Sequence, residues 1–122
     1  MIKIKRVYEP PARDDSFRIL IDKLWPRGLT KEKAKVDLWL KEIAPSDGLR
    51  KEFCHDPEKW EEFKKRYASE LKDKGPFLKE IKRLEKEHGT VTLVYATKEG
   101  RYNNAVELKA ILDKLRGTRI ET

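Results

Sequence analysis

"TVTLVYA", residues 90–96, decides the reading of this chain. It holds β-branched and aromatic residues and no charge, the composition of a strand covered on both faces. A second run, "FRILID" (17–22), is also β-rich and largely apolar and reads as a central strand. Most of the chain between the two carries helical patterning. Helical crossovers join parallel strands. The expected fold class is therefore α/β, with a small, mainly parallel sheet packed by helices, in a single domain over residues 1–122.

Working outward from these strands, "IKIKRVY" (2–8) alternates Ile2 and Ile4 with Lys3 and Lys5, as a half-buried strand does. "EPPARDDS" (9–16) is a loop, because two prolines cannot continue a sheet ladder. That loop is short for a parallel crossover, which leaves the direction of the first strand open. Thr30 can cap a short helix through Lys33. Val36, Trp39, Leu40 and Ile43 then fall at i, i+3, i+4 and i+7, one face of a helix that Pro45 ends. Ser46 caps a short turn that closes near Phe53. Asp56-Pro57 opens a longer helix with Trp60, Phe63, Tyr67 and Leu71 inward and Glu61–Lys65 and Glu62–Arg66 paired outside. Gly75-Pro76 breaks the chain. Phe77, Ile81 and Leu84 mark the next helix, which Gly89 caps. Asn104, with Glu107 three residues on, opens a last helix carrying Leu108, Ile111, Leu112 and Leu115. Gly117 ends it, and residues 118–121 read as a short edge strand.

Composition narrows the function classes. No apolar run approaches the roughly 20 residues of a membrane span, and the basic N-terminus lacks the apolar core of a signal peptide. The expectation is a soluble, cytoplasmic protein without membrane contact. Its one cysteine, Cys54, has no internal disulfide partner. Charged residues make up 42% of the chain, with no Gln and only two Asn, a pattern common in heat-adapted proteins. The net charge of +7 is uneven: residues 1–36 hold ten Lys/Arg against five Asp/Glu, a net of +5. A basic excess suits phosphate, carboxylate or nucleic acid.

The excess surrounds "LIDKLWPRGLT" (20–30), where a strand leaves the core and an arginine stands between proline and glycine. In open α/β sheets, ligands bind beyond the carboxyl ends of the strands. If strands 17–22 and 90–96 are parallel, "DKLWPRG" and "TKEGRYNN" meet there. The candidate ligand-binding residues are Arg27, Lys98, Arg101, Asn103 and Asn104. Arg27 offers a planar fork for an anion, and the helix start after Asn103 offers free N–H groups. Asp22, at a strand end, is a candidate base or a partner that orients Arg27. His55 is the second candidate acid or base. Each has a plain structural reading beside it: an ion pair with an acid for Arg27, capping for the two asparagines, a helix-flanking role for His55, and core packing for Trp25 and Trp39. Cys54-His55-Asp56 has no second Cys/His cluster to complete a metal site, so no metal is assigned. No phosphate-binding glycine loop or G-x-S-x-G elbow is present, and no cofactor is assigned.

"RILIDKLWPRGLTKEKAKVDLWLKEIAPS" (18–46), "HDPEKWEEFKKRYASEL" (55–71) and "VTLVYATKEGRYNNAVEL" (91–108) resemble the YeaO-like proteins of the family called domain of unknown function 488 (DUF488). The resemblance spans nearly the whole chain, with "LWPRG" and "HDP" its most specific elements. It implies a small, Rossmann-like α/β domain from bacteria or archaea and brings no established activity. It also implies glycine where Cys54 stands and histidines on both sides of Asn103, where this chain has Tyr102 and Asn104. Cys54 is then no shared nucleophile, and roles resting on those histidines do not carry over. Asp22, Trp25, Pro26, Arg27, Gly28, His55, Asp56 and Asn103 are the positions that do. Three functions follow from the sequence: a small-anion site at the sheet edge, with or without catalysis; a nucleic-acid-binding module, which lacks any recognisable reading motif; and a non-catalytic partner-binding domain.

Overall fold

A computed structural model describes residues 1–54 and 56–115. Among these, β1 (Ile2–Arg6), β2 (Phe17–Leu20), β3 (Leu38–Trp39) and β4 (Val91–Tyr95) form one sheet in the order β1-β4-β2-β3, and every pair is parallel. The helices are α1 (Lys31–Ala34), α2 (Asp47–Phe53), α3 (Trp60–Leu71), α4 (Gly75–His88) and α5 (Asn104–Leu115). The α/β reading holds. The strand expected at 118–121 lies outside the described residues.

β4 is buried at every position because it sits between β1 and β2. Alternation then sorts the side chains. Ile2, Ile19, Ile21, Val91, Leu93 and Tyr95 join the main core with the inward stripes Phe63, Tyr67, Leu71 of α3, Leu78, Ile81, Leu84 of α4 and Ala105, Leu108, Leu112 of α5. Leu78, not Phe77, takes the buried position on α4, where Phe77 is only half-buried. α4 and α5 pack on the sheet, and α3 packs on α5 and α2. Buried Tyr67 ties α3 to the sheet edge, its hydroxyl donating to the Ile43 carbonyl at 2.7 Å, and burial pushes its phenol well above the ordinary range.

The first link is the instructive departure. β1 runs parallel to β4 despite the short connection. Residues 7–16, when extended, reach roughly 33 Å. A five-residue strand measures roughly 17 Å. The link therefore returns past β4 to the start of β2 without an α-helix, through one 3-10 turn at Arg13–Asp15. It covers the second face of the sheet with charge: buried Arg18 reaches Asp15 at 2.6 Å, Lys5 reaches both Asp15 oxygens at 3.0 and 3.2 Å, and the Thr92 hydroxyl donates to the Asp15 carbonyl at 2.7 Å. A smaller apolar cluster, Val7, Leu20, Ala34 and Val94 with Trp25 and Trp39 against it, completes that face.

Residues 36–43 are not the helix expected from their spacing. Lys35, at φ 50°, ends α1. Asp37 then clamps β2: its N–H donates to the Arg18 carbonyl at 2.9 Å, and its carboxylate accepts the Arg18 N–H at 2.8 Å. Leu38 and Trp39 pair with Ile19 and Leu20 as β3, and a single 3-10 turn, Lys41–Ile43, follows. Leu38 and Leu40 serve the main core while Trp39 serves the smaller one, a period of two. The open edge of β2 outcompetes a spacing that suited either element. On α3, the outer charges also pair differently from the i,i+4 expectation: Glu61 meets Lys64 at 3.1 Å, and Arg66 turns to Glu52 on α2.

Cys54 caps α2 in the left-handed region, at φ 45°. An L side chain pays about 1–2 kcal/mol there. Glycine avoids that strain but loses about 0.4–1 kcal/mol through its freer unfolded chain. Cys54→Gly is expected to stabilise the fold by about 0.5–1 kcal/mol, read as a higher midpoint in urea at an unchanged slope.

Candidate functional site

Because β2 and β4 are parallel neighbours, their carboxyl ends open side by side. Asp22 stands at the first of them. Its Oδ2 accepts the Ala96 N–H at 2.8 Å, its Oδ1 lies 3.5 Å from the Asn104 amide nitrogen, and its backbone carbonyl accepts the Trp39 indole N–H at 2.8 Å. The carboxylate thus joins the two strand ends to the start of α5.

The "WPRG" turn leaves from this point and is pinned by its backbone. The Trp25 indole N–H donates to the Leu29 carbonyl at 2.7 Å, and the Tyr8 hydroxyl donates to the Arg27 carbonyl at 2.7 Å. Gly28 takes φ 83°, where an L side chain would be strained. Trp25 meets Trp39 edge-on, ring centres 5.5 Å apart. The Arg27 side chain is exposed and, among the described residues, has no ion pair with Asp22 or any other acid.

These pieces line a cavity of about 360 Å³. Pro26, Pro45, Phe53 and Phe63 form its buried wall; Asp22, Trp25 and Asn104 are half-buried; Lys23, Arg27 and Arg50 are its exposed cations. Lys23 and Arg50 each approach Asp47, the first residue of α2, at 3.0 Å. The Lys23 hydrogen bond and charge, with help from Arg50, hold the Asp47 carboxyl below its usual range.

Of the residues singled out in the sequence, Asp22, Arg27 and Asn104 come together in this cavity. Lys98 and Arg101 are exposed and lie outside its lining. Asn103 is fully buried: its amide donates to the Glu99 carbonyl at 2.6 Å, and its carbonyl accepts the Val106 N–H at 3.1 Å. The cap of α5 is thus Asn103, one residue before the asparagine expected in that role. His55 lies outside the described residues. Arg50, Phe53 and Phe63 line the cavity without having been singled out as site residues. Phe63 reads as part of the inward stripe of its helix and Phe53 only as the end of a short turn, both are core residues, and Arg50 sits in a nearly charge-balanced stretch.

Residues 1–119 match DUF488-N3i, the inactive DUF488-N3 subclade. The chain belongs to that family. It is 38% identical over 112 residues to an uncharacterized protein of Mycobacterium tuberculosis, covering 92% of this chain and 93% of that one. It is 38% identical over 107 residues to the uncharacterized protein YeaO of Escherichia coli, covering 88% and 92%. No solved structure matches the chain at a significant level. Among the described residues, no helix is long and apolar enough to cross a membrane.

Proposed function

We propose that this protein is a non-catalytic domain that binds a small organic anion in the cavity at the carboxyl edge of β2 and β4. The observation that carries the reading is Arg27: a guanidinium without an acidic partner among the described residues, on a turn whose backbone is held by Trp25, Tyr8 and Gly28, beside a cavity with buried apolar walls. A fixed turn reduces the ordering cost of forming a two-bond contact with a carboxylate or phosphate. The absence of catalysis is supported by the description of the family as an inactive subclade. It also fits the structural work given to Asp22, whose carboxylate closes the two strand ends.

A charge-assisted hydrogen bond contributes about 1.5–3 kcal/mol, and 1.4 kcal/mol is a factor of about ten in affinity. Arg27→Ala is expected to weaken anion binding about tenfold or more while leaving the melting temperature nearly unchanged, because the side chain is exposed and has no ion pair among the described residues. Arg27→Lys keeps the charge, loses the planar fork and should fall between the two. Calorimetric titration with benzoate, inorganic phosphate and adenosine monophosphate, beside thermal melts of each variant, tests this. Absence of binding by all three in the wild type would refute the proposal, as would equal binding by wild type and Arg27→Ala.

A further inference from the structure

Given the anion site proposed above, we infer that Tyr8 is its positioning residue: it acts on the anion only through Arg27, whose backbone it ties to the carboxyl end of β4 by way of Arg6.

The chain turns sharply after β1. The Arg6 N–H donates to a Glu9 carboxylate oxygen at 3.2 Å, and the Glu9 N–H donates back to the Arg6 carbonyl at 3.1 Å, so residues 6–9 form a closed turn that carries Tyr8. The Arg6 side chain crosses to the end of β4, where its Nε and Nη2 donate to the Thr97 and Ala96 carbonyls, each at 3.0 Å. Its guanidinium also lies over the Tyr8 ring, 4.9 Å from the centre. At that distance a cation is attracted to the ring face. The ring is thereby held in place although Tyr8 is 38% exposed, and its hydroxyl reaches the Arg27 carbonyl at 2.7 Å.

The other bonds of the Arg27 turn differ in reach. The Trp25 indole on the Leu29 carbonyl, and the Leu29 N–H on the Pro26 carbonyl at 3.4 Å, close residues 25–29 upon themselves. They fix the shape of the turn. The contact of Trp25 with Trp39 anchors one shoulder of it. The Tyr8 bond spans nineteen positions and holds the tip, directly before Gly28. Without it the turn stays attached at Trp25 and is loose where Arg27 projects. Tyr8, Arg27, Ala96 and Thr97 all line the cavity, so the tie runs along its rim. Direct contact with an anion does not suit the phenol. It has one hydrogen to donate, and that hydrogen is on the Arg27 carbonyl. The oxygen has only lone pairs left, which an anion cannot use. Tyr8 therefore contributes by raising the fraction of molecules in which Arg27 stands at the cavity, and apparent affinity scales with that fraction.

A double-mutant cycle on the whole protein tests this, with Tyr8→Phe, Arg27→Ala and the two together titrated calorimetrically with benzoate, inorganic phosphate and adenosine monophosphate. Tyr8→Phe keeps the ring under Arg6 and removes one neutral hydrogen bond. It is expected to weaken anion binding about two- to tenfold, with a nearly unchanged melting temperature. In the Arg27→Ala background the same change should have no further effect. Backbone order from nitrogen-15 relaxation, measured without anion, should fall at Arg27 and Gly28 in Tyr8→Phe while the Trp25 indole signal stays in place. This second readout needs no ligand and decides the matter where Arg27→Ala binds too weakly for the cycle. Wild-type affinity in Tyr8→Phe would overturn the inference and leave the anion site standing. So would an equal loss with and without Arg27, which would mean that Tyr8 acts on the ligand or the fold directly, and so would unchanged order at Arg27 and Gly28. No binding of any of the three anions by the wild type would overturn the site itself and the role of Tyr8 with it.

Discussion

Replacing Asp15 by alanine is expected to remove about 3–5 kcal/mol of folding stability, the cost of stranding a buried cation. Arg18 is 3% exposed and donates through Nη1 to Asp15, while its Nε and Nη2 are held on the Ala34 carbonyl at 3.2 and 2.9 Å. Without Asp15, the guanidinium keeps its position and loses its counter-charge. Such a loss is a large share of the roughly 5–15 kcal/mol that holds a domain together. Burial pushes the Asp15 carboxyl up, but the Ala12 N–H, the Lys5 ammonium and the Arg18 guanidinium outweigh it, and the group lies below its usual range. A depressed folded value means that the stabilisation is complete above the unfolded carboxylate pKa, about 3.9. It is lost as pH falls through the lower folded value. Urea midpoints should therefore drop in the wild type below about pH 4, and Asp15→Ala should show less of that drop. A double variant, Asp15→Leu with Arg18→Met, should regain part of the loss, because an apolar pair removes both charges together. Recovery is partial, since Asp15 also accepts the Ala12 N–H and Arg18 also holds Ala34. A single variant as stable as the wild type would show that the pair contributes nothing.

That ion pair was not legible in "RDDSFR". Asp14 and Asp15 are adjacent acids in a polar loop, and nothing in the pattern says that one is exposed and the other buried. The distinction arises only when the link folds back past β4 and places Asp15 over Thr92. The two central strands were legible because continuous β-branched runs bounded by polar turns have few other uses. β3 was not, since Val36, Trp39, Leu40 and Ile43 satisfy a helical spacing as well as a strand; the open edge of β2 decided it.

The cavity was half legible. Asp22 and Arg27 stand at a strand end and in a fixed turn, both of which leave local marks. Arg50, Phe53 and Phe63 arrive from α2 and α3, and their presence at the same edge depends on how those helices dock. Lys98 and Arg101 were expected at the ligand because their loop leaves the carboxyl end of β4, and both are exposed outside the cavity lining. In the fold, Glu99 turns its carboxylate onto the Arg101 and Tyr102 N–H groups at 2.9 and 3.2 Å and closes the loop upon itself.

Asn103 carries the second large effect, and its sign of function is indirect. Asn103→Ala removes the cap of α5, about 1 kcal/mol in a typical helix. It also leaves the Glu99 carbonyl without its amide partner at a fully buried position, and a buried unmade bond costs about 1–3 kcal/mol. The expected loss is about 2–4 kcal/mol. Asn103→Asp separates the two parts. A carboxylate still accepts the Val106 N–H but faces the Glu99 carbonyl with no hydrogen to give, so it should keep the cap and lose the loop closure. Hydrogen exchange at Val106 would then stay slow in Asn103→Asp and become fast in Asn103→Ala. Asn104 follows directly and lines the cavity, so a shifted helix start should weaken anion binding although Asn103 itself is fully buried. This is the reverse of Arg27, where affinity falls and stability holds. If Asn103→Ala lost affinity while its melting temperature and Val106 exchange stayed those of the wild type, Asn103 would be a ligand contact rather than the cap that positions one.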